Sequence, residues 1–115
     1  MDSPSIGSVV LLPFPFSDLS KAKVRPAVVL AFAGKGDWIL CQVTSKPYAD
    51  SMAVEIIDSD FEVGGLRIRS FARPSKLFTA NGSIFLSSAG RLGRSKRSDL
   101  LNRVMGLFLV SAEVG

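Results

Sequence analysis

The chain has 115 residues, with 14 Lys and Arg, 10 Asp and Glu, one Cys and no His. Without His there can be no Ser-His-Asp or Cys-His triad, no His-based zinc site and no imidazole base, and a single Cys leaves no intramolecular disulfide. The length predicts one domain over residues 1–115 in a reducing, cytoplasmic setting, because no basic leader opens the chain and no stretch reaches the ~20 apolar residues of a membrane span.

Residues 6–12 (IGSVVLL) form an apolar, β-branched run that reads as a first strand. Pro13 and Pro15 have no N–H to donate, so the chain is expected to leave the sheet there, as a loop through Ser20. Residues 27–33 (AVVLAFA) and 38–44 (WILCQVT) flank the turn sequence Gly34-Lys35-Gly36-Asp37, which predicts a hairpin. A loop over 46–51 precedes a fourth strand at 53–57. After the Gly64-Gly65 break, residues 70–77 read as a strand interrupted at Pro74, and residues 84–86 are an apolar piece of either type. Ser98 is a suitable N-cap for a helix on which Leu101, Val104, Met105 and Phe108 recur at i, i+3, i+4 and i+7. Strands followed by one terminal helix predict an α+β fold, a small antiparallel sheet or barrel closed by that helix.

The charge is uneven. Residues 1–60 hold 5 basic and 7 acidic side chains, whereas residues 61–115 hold 9 basic and 3 acidic. The excess falls in two clusters, Arg67, Arg69, Arg73 and Lys76, then Arg91, Arg94, Lys96 and Arg97. Arginine suits forked contacts with phosphate, so a polyanion-binding face competes with a merely soluble basic surface.

Few residues can carry chemistry. Gly34-Lys35-Gly36 lacks the spacing of a phosphate loop. Asp58 and Asp60 share a strand face but have no third ligand nearby, so a solvated turn is expected. Cys41 sits in an apolar strand and reads as a buried structural thiol. Trp38, Phe32, Phe78 and Phe85 read as core. Arg25 stands directly before a buried strand (KVRPAVVL), and Thr44-Ser45 ends the next one (LCQVTSK). A hairpin sets residues 25–27 against 44–46, which brings a guanidinium near two hydroxyls at one end of the sheet; a surface arginine beside an ordinary turn start is the competing reading of the same residues.

Five segments in order, IGSVVLLPFPFSDLS, KVRPAVVL, ILCQVTS, GGLRIRSFARPSKLFT and GRLGRSKRSDLLNRVMGLF, span nearly the whole chain. Together they resemble the MazF/PemK (Kid) family of toxin endoribonucleases, in its PemK-like branch. The resemblance implies an SH3-like antiparallel barrel with a C-terminal helix, as also found in CcdB-type gyrase poisons. It implies a homodimer, a single-stranded RNA substrate and a cognate antitoxin protein, with no cofactor, no metal and no membrane. Cleavage would use the RNA's own 2′-hydroxyl. By position, the resemblance makes Arg25, Thr44 and Arg73 the catalytic residues. It places Phe16, Ser17, Asp18, Ser45, Ser75 and Lys76 at the RNA contact. Ser75 stands where the Kid branch has an aspartate, which leaves Asp18 as the candidate substitute base. A catalytically weak or inactive module on the same barrel, binding RNA or a protein target as a CcdB-like gyrase poison does, is the alternative that this departure motivates.

Overall fold

The computed structural model describes residues 4–14, 23–47 and 49–114. Seven strands appear in chain order: β1 (Ser8–Phe14), β2 (Lys23–Gly34), β3 (Asp37–Thr44), β4 (Val54–Ile56), β5 (Phe61–Gly64), β6 (Ser70–Asn81) and β7 (Ser87–Leu92). One helix, α1 (Arg94–Val114), ends the chain. All strand pairs are antiparallel, and they form one sheet in the order β4-β6-β3-β2-β1-β7-β5. The sheet curls into a half-barrel, so the α+β expectation holds.

The curl explains why β1 and β2 read as unbroken apolar runs. Val9, Val28, Leu30, Cys41, Val43, Ala72 and Leu92 point to one face, where Leu100 of α1 packs. Their chain neighbours Val10, Leu12, Phe14, Ala27, Val29 and Leu40 point to the other, against Ala80 and Phe85. Strands buried on both faces lose the polar alternation that would otherwise mark them.

Several boundaries differ from the sequence reading. β1 continues through Pro13 to Phe14. β7 leaves β1 after the Leu11–Ser87 pair, so Pro13 lies where one side of β1 has no ladder, a position that tolerates a missing N–H. Residues 61–64 and 87–92, left unassigned by the sequence pattern, pair as β5 and β7. Gly64 (φ +69) crosses Gly90 so closely that a Cβ on Gly64 would collide with the Ala89–Gly90 backbone. The helix starts four residues before Ser98. Gly93 serves as its cap: its carbonyl accepts from Arg97 N at 3.0 Å, and its own N–H donates to Asp60 O at 2.7 Å. Phe32 is not core but 58% exposed, resting on Trp38 with ring centroids 4.9 Å apart.

Asp58 and Asp60 fall in a single 3-10 turn. Asp60 Oδ2 accepts from Ile57 N at 2.8 Å and meets Lys96 Nζ at 3.7 Å, so this carboxylate braces the base of α1.

Two irregular ladders set the geometry of the hairpin end remote from its turn. The β2–β3 ladder starts at Gly34–Asp37, shifts register between Phe32 and Gly34 and again between Val29 and Ala31, and ends at Ala27–Gln42. In the β3–β6 ladder, Cys41 pairs with Leu77 but Val43 pairs with Ala72, so residues 73–76 together face Gln42 alone. Pro74 sits in this wide bulge, where its missing N–H breaks no ladder bond.

Candidate functional site

β1, β2, β3 and β6 meet at the end of the hairpin remote from its turn and enclose a cleft of about 620 Å³. Five cations line it: Lys23 and Arg25 from β2, Lys46 after β3, and Arg73 and Lys76 from β6. Among the described residues no carboxylate lines it, whereas Thr44, Ser45 and Gln42 supply neutral polar groups. Unlike-charged walls would attract each other. A wall of like charge with polar neighbours is poised for an anionic ligand.

Each side chain has a local reason to be there. Pro26 holds Arg25 in extended geometry, and Arg25 lies opposite Leu12 on the β1 side, half-buried. Thr44 closes β3 with a tight side-chain turn: its Oγ1 accepts from Lys46 N at 3.1 Å and donates to Lys46 O at 3.2 Å. That turn directs Ser45 and Lys46 back over the cleft. The bulge in β6 turns Arg73 and Lys76 out of the ladder and into the same space, as bulges re-aim side chains.

Asp50 stands behind Arg73. Its Oδ2 accepts from Arg73 Nε at 2.7 Å, and its Oδ1 accepts from Met52 N at 2.9 Å. Its side chain is 9% exposed and that of Arg73 is 23%. The hydrogen bond from Arg73 holds the Asp50 carboxyl below its ordinary pKa, against a smaller opposing effect of burial.

No family model matches the sequence, and no curated protein does. The fold itself has solved counterparts. MazF of Deinococcus radiodurans superposes with a TM-score of 0.72 at 18% identity, over 94% of this chain and 98% of that one. The MazE–MazF complex of the same organism gives 0.70 at 17% identity, over 94% and 97%. An endoribonuclease in complex with its cognate antitoxin, from a mycobacterial species, gives 0.66 at 12% identity, over 95% of both chains. The fold is MazF-like.

On this MazF-like frame the structure gathers Arg25, Thr44, Arg73, Ser45 and Lys76 around one cleft. Ser75 is exposed on the same bulge but does not line the cleft. Phe16, Ser17 and Asp18 lie outside the described residues. Lys23, Lys46 and Asp50 were missed by the sequence reading. The two lysines fall in the half of the chain with net negative charge, and Asp50 lies 23 residues from its partner.

The two basic clusters separate in space. Arg69 pairs with Glu55, Arg91 and Arg97 share Glu62, and Lys96 meets Asp60. Arg91 lines a different cleft, beside Ser5 and Ser88. Cationic character at the site therefore comes from Lys23, Arg25 and Lys46 as much as from the basic second half, which corrects a reading based on charge counts along the chain. Cys41 is fully buried, and burial pushes its thiol up to about 12, which leaves it inert as a nucleophile.

Proposed function

We propose that this protein is a toxin endoribonuclease that cleaves single-stranded RNA in the Lys23–Arg25–Lys46–Arg73–Lys76 cleft and is held in check by a cognate antitoxin protein. The observation that carries the reading is the convergence, on a MazF-like fold, of five cations and the Thr44 and Ser45 hydroxyls with no carboxylate among the described lining residues.

The chemistry asks little of the protein beyond alignment and charge. The substrate's 2′-oxygen loses its proton and forms a bond to phosphorus, and the bond from phosphorus to the 5′-oxygen breaks. The departing oxygen takes up a proton, which leaves a 2′,3′-cyclic phosphate and a 5′-hydroxyl. Negative charge grows on the non-bridging oxygens of the phosphorane, where fixed guanidinium groups stabilise it most. Arg25 and Arg73 suit that task. Thr44 can donate its O–H to one of those oxygens by releasing the Lys46 carbonyl while still accepting from Lys46 N–H. Arginine stays protonated at neutral pH, so neither guanidinium is an ordinary proton acceptor. Asp50 is engaged by Arg73, and Asp18, seven residues before Arg25 in the sequence, is the carboxylate left as candidate base where Ser75 departs from the family pattern.

The other partners follow the same reading. The second half of α1 carries an uncovered apolar stripe, with Met105, Phe108 and Leu109 between 53% and 67% exposed. This face supports a homodimer to which the terminal helix contributes. The antitoxin would compete with RNA for the cationic cleft, as expected of an acidic segment that folds on binding.

Incubation of purified, antitoxin-free protein with a single-stranded RNA pool in EDTA tests the proposal. Cleavage that Arg25→Ala removes supports it. RNA that is bound but left intact would instead assign the cleft to the non-cleaving binding module.

A further inference from the structure

We infer that Asp50 is a positioning residue that fixes the Arg73 guanidinium in the cleft and presents its Nη end to the substrate phosphate. The inference deepens the proposed function and rests on it.

Arg73 needs a tether that its backbone does not supply. It opens the four-residue bulge facing Gln42, so its main chain lies outside the regular ladder that fixes Ala72 and Leu77. A long side chain rising from such a segment would sample many rotamers, and each would aim the charge differently. Asp50 restricts that choice. Asp50 is the rigid partner: its side-chain Oδ1 takes the Met52 N–H at 2.9 Å, its main-chain N–H donates to Pro47 O at 3.0 Å, and its main-chain carbonyl accepts from Ala53 N at 3.2 Å. The 47–53 loop is thereby folded around Asp50, which meets Arg73 at 2.7 Å.

The form of the contact matters as much as its presence. Asp50 takes Nε alone, and among the described residues the two Nη atoms of Arg73 have no hydrogen-bond partner. Arg69 makes the contrast. Glu55 takes both its Nε and its Nη2 and closes the fork. An arginine held at Nε keeps its distal edge available to grip a phosphate with two parallel N–H groups. Being 9% exposed, the Asp50 side chain also sees little water to weaken its hold, and its depressed pKa keeps it charged at neutral pH.

A double-mutant cycle on the full chain, read by single-turnover RNA cleavage, tests the assignment. Arg73→Ala is expected to lower the cleavage step roughly a hundredfold, the scale of losing one charge-stabilising donor. Asp50→Ala is expected to lower it about ten- to a hundredfold with KM changed less than threefold, the scale of misplacing such a group. In the Arg73→Ala background Asp50→Ala should add nothing, because its effect passes through that guanidinium. Asp50→Asn keeps an acceptor oxygen and the loop's shape. It should fall between the parent and Asp50→Ala, and it carries the test if the alanine variant does not fold. Full activity in both Asp50 variants, with the parent active and Arg25→Ala inactive, would overturn this inference and leave the proposed function standing. An equal loss from Asp50→Ala with and without Arg73 would mark a merely structural residue and also overturn it. A parent protein that cuts no RNA would overturn both.

Discussion

Arg25 and Thr44 stand level with each other across the β2–β3 hairpin. Both register shifts lie nearer the turn, and the ladder ends at Ala27–Gln42, so continuing it brings Arg25 opposite Thr44. An unbulged hairpin closed at Gly34–Asp37 would have set Ala27 there. The bulges thus decide which side chain meets the hydroxyl, and both residues line the cationic cleft.

Arg25→Ala should lower RNA cleavage by about a hundred- to a thousandfold while the protein stays folded, the range for losing one donor to a developing oxyanion. Arg25→Lys should recover little, since a point charge does not replace a planar fork. Thr44→Val should lose activity and about 1 kcal/mol of stability, because its hydroxyl also closes the turn to Lys46. Thr44→Ser should retain both. Single-turnover kinetics with urea melts on the same preparations separates the two effects.

RNA affinity should depend steeply on salt. If each of the five cleft cations meets a phosphate, log K should fall against log salt with a slope of about −3.5, from roughly −0.7 per contact on a single strand. Removing Lys23 and Lys46 together should flatten the slope by about 1.4. Arg91→Ala should leave it unchanged, because Arg91 pairs with Glu62 and lines a different cleft. Fluorescence anisotropy with a 2′-O-methyl oligonucleotide, which binds without being cut, measures these slopes.

The Asp50–Arg73 pair makes a pH prediction with a definite sign. Its folded-state pKa is depressed, so its stabilisation is complete above the ordinary carboxylate value of 3.8 and is lost as pH falls below it. Urea unfolding between about pH 2 and 6 should therefore show the parent losing stability at the acid end more steeply than Asp50→Asn. Equal pH slopes would contradict the pairing.

The exposed helix face predicts a two-fold association. Phe108→Asp, at a position 64% exposed, should dissociate the dimer at micromolar concentration without lowering the thermal midpoint of the monomer fold. Each large apolar side chain lost from such an interface removes about 1.5–3 kcal/mol. Sedimentation velocity reads the outcome directly, and a parent that is already monomeric would contradict it.

Much of this architecture was legible in the residues. The β-branched runs and the Gly34–Asp37 turn marked the hairpin, and the spacing of Leu101, Val104 and Met105 marked the helix. The hairpin sets Arg25 near Thr44, Arg73 joins them only through the family resemblance, and the fold lines one cleft with all three. What escaped depends on contacts between distant segments. Gly64-Gly65 reads as a break, yet Gly64 ends a strand that must pass close over Gly90. Gly93 caps the helix while its N–H is held by the Asp60 carbonyl, 33 residues away, a contact that no local pattern marks, whereas Ser98 has the residue type of a cap but lies one turn inside the helix. Asp50 looks like any loop aspartate until the β6 bulge delivers Arg73 to it. Charge counts misjudged the basic clusters for the same reason, since Glu55 and Glu62 neutralise Arg69, Arg91 and Arg97 only once the sheet has formed.

The most direct measurement is end-group analysis of a single-stranded RNA incubated with the purified, antitoxin-free protein in EDTA. Defined fragments with 2′,3′-cyclic phosphate and 5′-hydroxyl ends, absent with Arg25→Ala, are the expected result. Intact RNA, or fragments that Arg25→Ala still produces at the parent rate, would contradict the assignment of cleavage to this cleft.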